Sequence, residues 1–143
     1  TLDKLMGDGI MAFFGAPISH DDDPLRAVKA AIEMIEALKS LNAGADDDWP
    51  ILQASIGINT GEVVAGYIGS EEHLNYTVIG DAVNIAQRLQ SIAKPNEILI
   101  SKTVQREIEG KEAVLEGLKA LIPLQPQKVK GKEKAVEVFR VEL

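Results

Sequence analysis

Apolar positions recur along this chain with two different periods, and the switches between them mark its elements. Thr1 to Leu5 and Ile10 to Phe14 read as two short strands joined by "MGDG", a hairpin with Asp8 at its tip. "GAP" then breaks the pattern. Asp22 and Asp23 stand before Pro24, an acidic cap and a first-turn proline that predict a helix start. Leu25, Val28, Ile32, Ile35 and Leu38 form the apolar stripe of that helix, and Asn42 to Gly44 mark its end. After the acidic loop "ADDDWP" the period becomes two. Leu52, Ala54, Ile56 and Ile58 alternate, which predicts a half-buried strand over Ile51 to Thr60. "TGEVVAGYIG" turns at Gly61-Glu62 into a second strand, and Ser70 to Leu74 reads as a polar loop. Tyr76, Val78 and Ile79 suit a strand; Gly80-Asp81 interrupts it, and Val83, Ala86, Leu89 and Ile92 recur at helical spacing. After the turn "AKPNE", Ile98 to Ser101 predicts a strand and Lys102 to Ile108 a short helix. The tail "QKVKGKEKAVEVFRVEL" reads as a closing hairpin with "KGKEK" at its tip.

This order predicts a mixed α/β (α+β) fold, a ferredoxin-like two-layer sandwich with helices packed on a mostly antiparallel sheet. No repeat or linker divides the chain, so residues 1–143 read as one domain. The first residues already lie inside a structured pattern and lack an initiator Met, as expected for part of a longer polypeptide.

Composition narrows the function classes. The chain is 45% hydrophobic and 26% charged, ordinary for a globular protein. Its net charge of −7 argues against nucleic acid or an anionic membrane as the main partner. There is no cysteine, hence no disulfide framework and no thiolate chemistry. No apolar run is long enough to span a bilayer.

Individual motifs leave alternatives open. Gly and Asp are ordinary turn residues in "KLMGDG", but an exposed carboxylate at a hairpin tip also suits a hard metal ion. Asp3, the nearest other aspartate, lies on the strand beside Lys4 and away from that tip. Asn84 and Arg88, four apart on one helix face, make either a solvated surface or an amide and a guanidinium suited to sugar and phosphate. The lysines of "KVKGKEK" make either a protected edge tip or a cationic clamp. The glycines match neither GxGxxG nor GxxxxGK[ST], His20 and His73 are isolated, and no Ser/His/Asp arrangement stands out.

Taken in order, "KLMGDGIMAFFGAP", "SIGINTGEVVAGYIGS" and "NYTVIGDAVNIAQRL", with "RAVKAAIEM" between the first two, closely resemble the catalytic domain of class III nucleotidyl cyclases. The resemblance runs from Lys4 to the final hairpin. It implies attack of a nucleoside triphosphate's 3′-hydroxyl on its own α-phosphorus, with pyrophosphate leaving. It also implies two divalent ions, Mg²⁺ or Mn²⁺, and a head-to-tail homodimer with active sites at the interface. By motif, Asp8 resembles the second metal-binding aspartate, and Lys4 and Thr77 the residues that read the base. Asn84 resembles the ribose-orienting residue, Arg88 the transition-state arginine, and Lys132 the lysine for the terminal phosphates. Lys with Thr is similar to adenylyl rather than guanylyl cyclases, so ATP is the implied substrate; a lysine donates to a ring acceptor of adenine but meets a ring N–H in guanine. The family's first metal-binding aspartate, in F-x-D-I-x-G-F-T, has no counterpart in these residues. His73 stands where many members carry a phosphate-contacting arginine. The domain is expected in the cytoplasm, with membrane attachment only through flanking segments. A guanylyl cyclase and a non-catalytic cyclase-like regulatory domain are the alternatives.

Overall fold

The computed structural model describes all 143 residues. Its strands are β1 (Leu2–Met6), β2 (Gly9–Ala12), β3 (Ile56–Ile58), β4 (Val64–Ser70), β5 (His73–Ile79), β6 (Ile98–Ser101), β7 (Ala120–Pro123) and β8 (Val138–Glu142). Its α-helices are α1 (Asp23–Ala43), α2 (Asp81–Ile92) and α3 (Lys102–Ile108), with one 3-10 turn at Glu112–Val114. The central sheet has the order β3-β6-β8-β7 and is antiparallel except where β3 runs parallel to β6. The mixed α+β architecture expected from the pattern is the one that forms. No helix is long and apolar enough to cross a membrane.

Strand β6 explains where the core sits. Its run "ILIS" is buried throughout, as a strand covered on both faces requires. Ile98 and Ile100 pack with Val28, Ala31, Ile32 and Ile35 of α1 and Val104 and Ile108 of α3. Leu99, pointing the other way, packs with Ile85 and Leu89 of α2 and with Val129 and Val138. The buried face of α2 is thus centred on Ile85 and Leu89, while Val83, Ala86 and Ile92 are half-buried. Gly57 of β3 lies against this helix. A methyl group there would overlap the backbone carbonyl of Ala86 and the amide nitrogen of Gln90.

Three local expectations are corrected. The strand expected over Ile51 to Thr60 is only Ile56–Ile58. The preceding backbone satisfies itself through side chains instead. Asn42 bonds both the amide (2.9 Å) and the carbonyl (2.7 Å) of Leu52, and Asn96 Oδ1 accepts from the amide of Ala54 at 3.2 Å. Next, β3 does not form a hairpin with "TGEVVAGYIG". Strand β4 pairs instead with β5, in register from Val64↔Ile79 to Ser70↔His73. The polar loop expected at Ser70 to Leu74 shrinks to the two-residue turn Glu71-Glu72. Finally, the closing hairpin begins earlier than expected, at β7, and narrows to a single bridge, Gln127↔Val136. Pro126, which has no amide to donate, lies in the gap between the last ladder pair, Pro123↔Phe139, and that bridge.

At the start of α1, Pro24 occupies the first turn as expected, but the side chain of Asp22 makes no cap bond. Asp23 reaches back instead, and its Oδ2 accepts from the amide of His20 at 2.8 Å.

Candidate functional site

The first hairpin, β1–β2, turns at Gly7-Asp8, where the positive φ of Gly7 (62°) suits a residue without a side chain. Its register steps from Leu2↔Ala12 to Lys4↔Met11, so Asp3 is an extra residue with no opposite number. Such a bulge re-aims side chains that would otherwise alternate across the ribbon. Here it turns the Asp3 carboxylate inward, to 1% side-chain exposure, while Lys4 stays 48% exposed with its Nζ 3.9 Å from Asp3 Oδ2. The hairpin docks on β5: Phe13 packs against Tyr76 with ring centroids 6.0 Å apart, and Tyr76 meets Tyr67 edge-on at 5.2 Å. One residue along, the Thr77 hydroxyl donates to Asp3 Oδ2 at 2.6 Å. Two residues that the sequence singled out, Lys4 and Thr77, are therefore joined by one that it set aside. Asp3 was passed over because its role depends on a bulge, which no local pattern announces.

Strand β5 feeds directly into α2 through Gly80. A shallow groove of about 330 Å³, lined by Val78, Ile79, Gly80, Asp81, Val83 and Asn84, lies at this junction. Asn84 and Arg88 stand exposed on the helix face away from Ile85 and Leu89. Neither side chain is tied to another protein group by a hydrogen bond or ion pair. An unpaired guanidinium on a rigid helix suits planar, bidentate contact with a phosphate.

A second unforeseen residue holds this helix in place. Asn59, just after β3, donates from Nδ2 to the carbonyl of Ala82 in the first turn of α2 at 3.0 Å. Its Oδ1 accepts from Ser101 (2.7 Å) and from Thr103 (3.1 Å) at the start of α3. One amide thus supplies a donor and an acceptor that tie two helix starts to one strand end. Its place in "GINTG" after an alternating run was the available signal. We expect Asn59→Ala to lower stability by about 1–3 kcal/mol, because it removes the three hydrogen bonds to Ala82, Ser101 and Thr103. Urea unfolding measures this, and a change below about 0.5 kcal/mol would remove Asn59 from this role.

The remaining candidates stand apart. Asp8 is exposed at the hairpin tip, and nowhere do three or more His, Asp or Glu converge as a metal ligand set. Two divalent ions want several hard oxygen ligands each. The carboxylates present do not assemble a two-ion centre. Lys132 lies exposed just past the Gly131 turn of the closing hairpin, and its amide donates to the carbonyl of Val129 at 3.1 Å. Nothing draws its side chain toward Arg88. His73 sits exposed opposite Ser70 at the far tip of the β4–β5 hairpin, four residues along the strand from Thr77.

Comparison with known proteins agrees with the geometry. The adenylate cyclase of Anabaena cylindrica is 35% identical over 147 aligned residues, covering 98% of this chain, which in turn spans only 28% of that relative. Among solved structures, the guanylyl cyclase Cya2 superposes with a TM-score of 0.83 at 39% identity, over 99% of this chain and 68% of its own. The adenylyl cyclase CyaB from P. aeruginosa superposes with a TM-score of 0.82 at 32% identity, over 99% of this chain and 70% of its own. The first hairpin from Lys4 onward, the β5–α2 junction and the closing hairpin fall inside residues 4–142, which match the description "Adenylate and Guanylate cyclase catalytic domain". The chain belongs to the adenylate and guanylate cyclase catalytic domain family.

Proposed function

We propose that this domain is an adenylyl cyclase, converting ATP to 3′,5′-cyclic AMP and pyrophosphate. Its relatives include enzymes named for either base, so likeness alone does not choose between them. The observation that carries the choice is the meeting of Lys4 and Thr77 on Asp3. An ammonium only donates, so Lys4 suits the ring acceptor N1 of adenine and opposes the N1–H of guanine. Asn84 orients the ribose. As the 3′-oxygen bonds to the α-phosphorus and the bond to the β-phosphate oxygen breaks, Arg88 meets the charge that builds on the α-phosphate oxygens. Lys132 is the proposed cation for the terminal phosphates. Asp8 would supply one ligand toward the Mg²⁺ or Mn²⁺ that the family leads one to expect.

A homodimer with the site at its interface is part of this reading. Its support is the apolar surface left open on both hairpins, where Leu5, Ile10, Val64, Tyr67 and Leu74 are exposed.

The test is product formation from each triphosphate with Mg²⁺ or Mn²⁺, in the domain extended by the family's F-x-D-I-x-G-F-T strand, because the present carboxylates do not complete an ion site. Cyclic AMP should form in preference to cyclic GMP, and Lys4→Glu with Thr77→Cys should shift the preference toward GTP. A wild-type preference for GTP would refute the adenylyl assignment. That incomplete carboxylate set also favours a second reading, a domain that binds nucleotide without turning it over. Nucleotide binding with no product from either triphosphate would select it.

A further inference from the structure

The hydroxyl of Thr77 has one proton, and in this structure it is committed. It donates to Asp3 Oδ2 at 2.6 Å, and a carboxylate offers it nothing but acceptance. Thr77 keeps 8% of its surface, and what its oxygen offers any further partner is lone pairs. Left alone, a threonine hydroxyl rotates to donate or accept as its partner demands. Asp3 removes that freedom.

We infer that Asp3 is a specificity-determining positioning residue, which fixes Thr77 as an acceptor and so makes the Lys4–Thr77 pair read adenine and reject guanine. The inference rests on the proposed cyclase reading and deepens it. Adenine presents a ring acceptor, N1, beside an exocyclic amino donor. Guanine presents the reverse, a ring N–H beside the O6 acceptor. Lys4, which only donates, matches the first position for adenine. Thr77, held as an acceptor, matches the second. With its proton free, Thr77 would donate to O6 of guanine equally well, and half of the discrimination would vanish. The bulge at Asp3 is what makes this arrangement possible. Without the extra residue, Asp3 and Lys4 would point to opposite faces of the hairpin. The same carboxylate lies 3.9 Å from the Lys4 ammonium, too far for a hydrogen bond, so its hold on base choice runs through Thr77.

The test is the ratio of kcat/KM for ATP to that for GTP in the extended domain. Asp3→Asn keeps the shape of the cluster, but its amide can donate to Thr77 as well as accept from it, which releases the Thr77 proton. We expect the ATP-to-GTP ratio to fall at least tenfold, chiefly through a gain with GTP. Asp3→Ala, which frees the hydroxyl altogether, should lower the ratio as far or further. In a Thr77→Val background, where no hydroxyl remains to orient, Asp3→Asn should leave the ratio unchanged. A purely structural Asp3 would slow both substrates by the same factor and leave the ratio intact, and that result overturns the inference. So does a fall in the ratio that persists without the Thr77 hydroxyl. Wild-type protein that cyclises neither triphosphate overturns the cyclase reading itself, a different outcome from an unchanged ratio.

Discussion

Arg88→Ala should lower kcat by about 10²–10³-fold while KM moves much less, in the extended domain turning over ATP. The size follows from losing one preorganised charge where negative charge develops. The asymmetry follows from timing, because the α-phosphate gains its extra charge only as the 3′-oxygen attacks. The structure makes this a clean experiment. Arg88 is exposed and takes part in no ion pair, so its removal strands no buried partner. The melting temperature should therefore stay close to wild type. A normal kcat with a large rise in KM would assign Arg88 to ground-state binding instead.

Gly57→Ala should be strongly destabilising, because its methyl group strikes the packing of a helix on the sheet. The added carbon would lie inside the contact distances of the Ala86 carbonyl, the Gln90 amide and the Cβ of Leu89. The first two are helix backbone and cannot rotate away. Helix α2 must move off β3, which loosens the packing of Leu89, a residue with no exposed surface. Overpacking of this kind costs about 3 kcal/mol. For a domain of this size that is a drop of about 10 °C in melting temperature. Gly66→Ala is the control, since a methyl group there meets nothing within 4 Å. If both variants melt with wild type, the close approach of β3 to α2 is not a constraint.

Local signals carried much of the fold. Strand β6 and helix α3 lie at the residues where the sequence pattern places them, and the structure adds a cap, the Ser101 side chain accepting from the amide of Val104. The start of α1 was marked by Pro24 for the same reason. What was not visible is non-local. The parallel pairing of β3 with β6 joins residues about forty positions apart and leaves no trace in either strand's pattern. The alternation from Ile51 onward was a true strand signal overridden by Asn42 and Asn96, whose side chains occupy the backbone first. At the site, Lys4, Thr77, Asn84 and Arg88 stood out through motif wording. Asp3 and Asn59 act through hydrogen bonds across 74 and 42 positions, and only coordinates reveal such partners.

The β1–β2 and β4–β5 ribbons share no ladder with each other or with the central sheet. Two-stranded ribbons of this kind are marginal on their own. The proposed base readers Lys4 and Thr77 are therefore mounted on such ribbons, while Arg88 rides on a helix whose Ile85 and Leu89 are buried in the core. On the proposed reading, some of the free energy of nucleotide binding would go into quieting the ribbons, and would show as weaker affinity rather than slower chemistry. Affinity and turnover would in that sense be separately adjustable: stiffening the ribbons should tighten the grip on the base, and leave the barrier at phosphorus to the proposed role of Arg88 on α2.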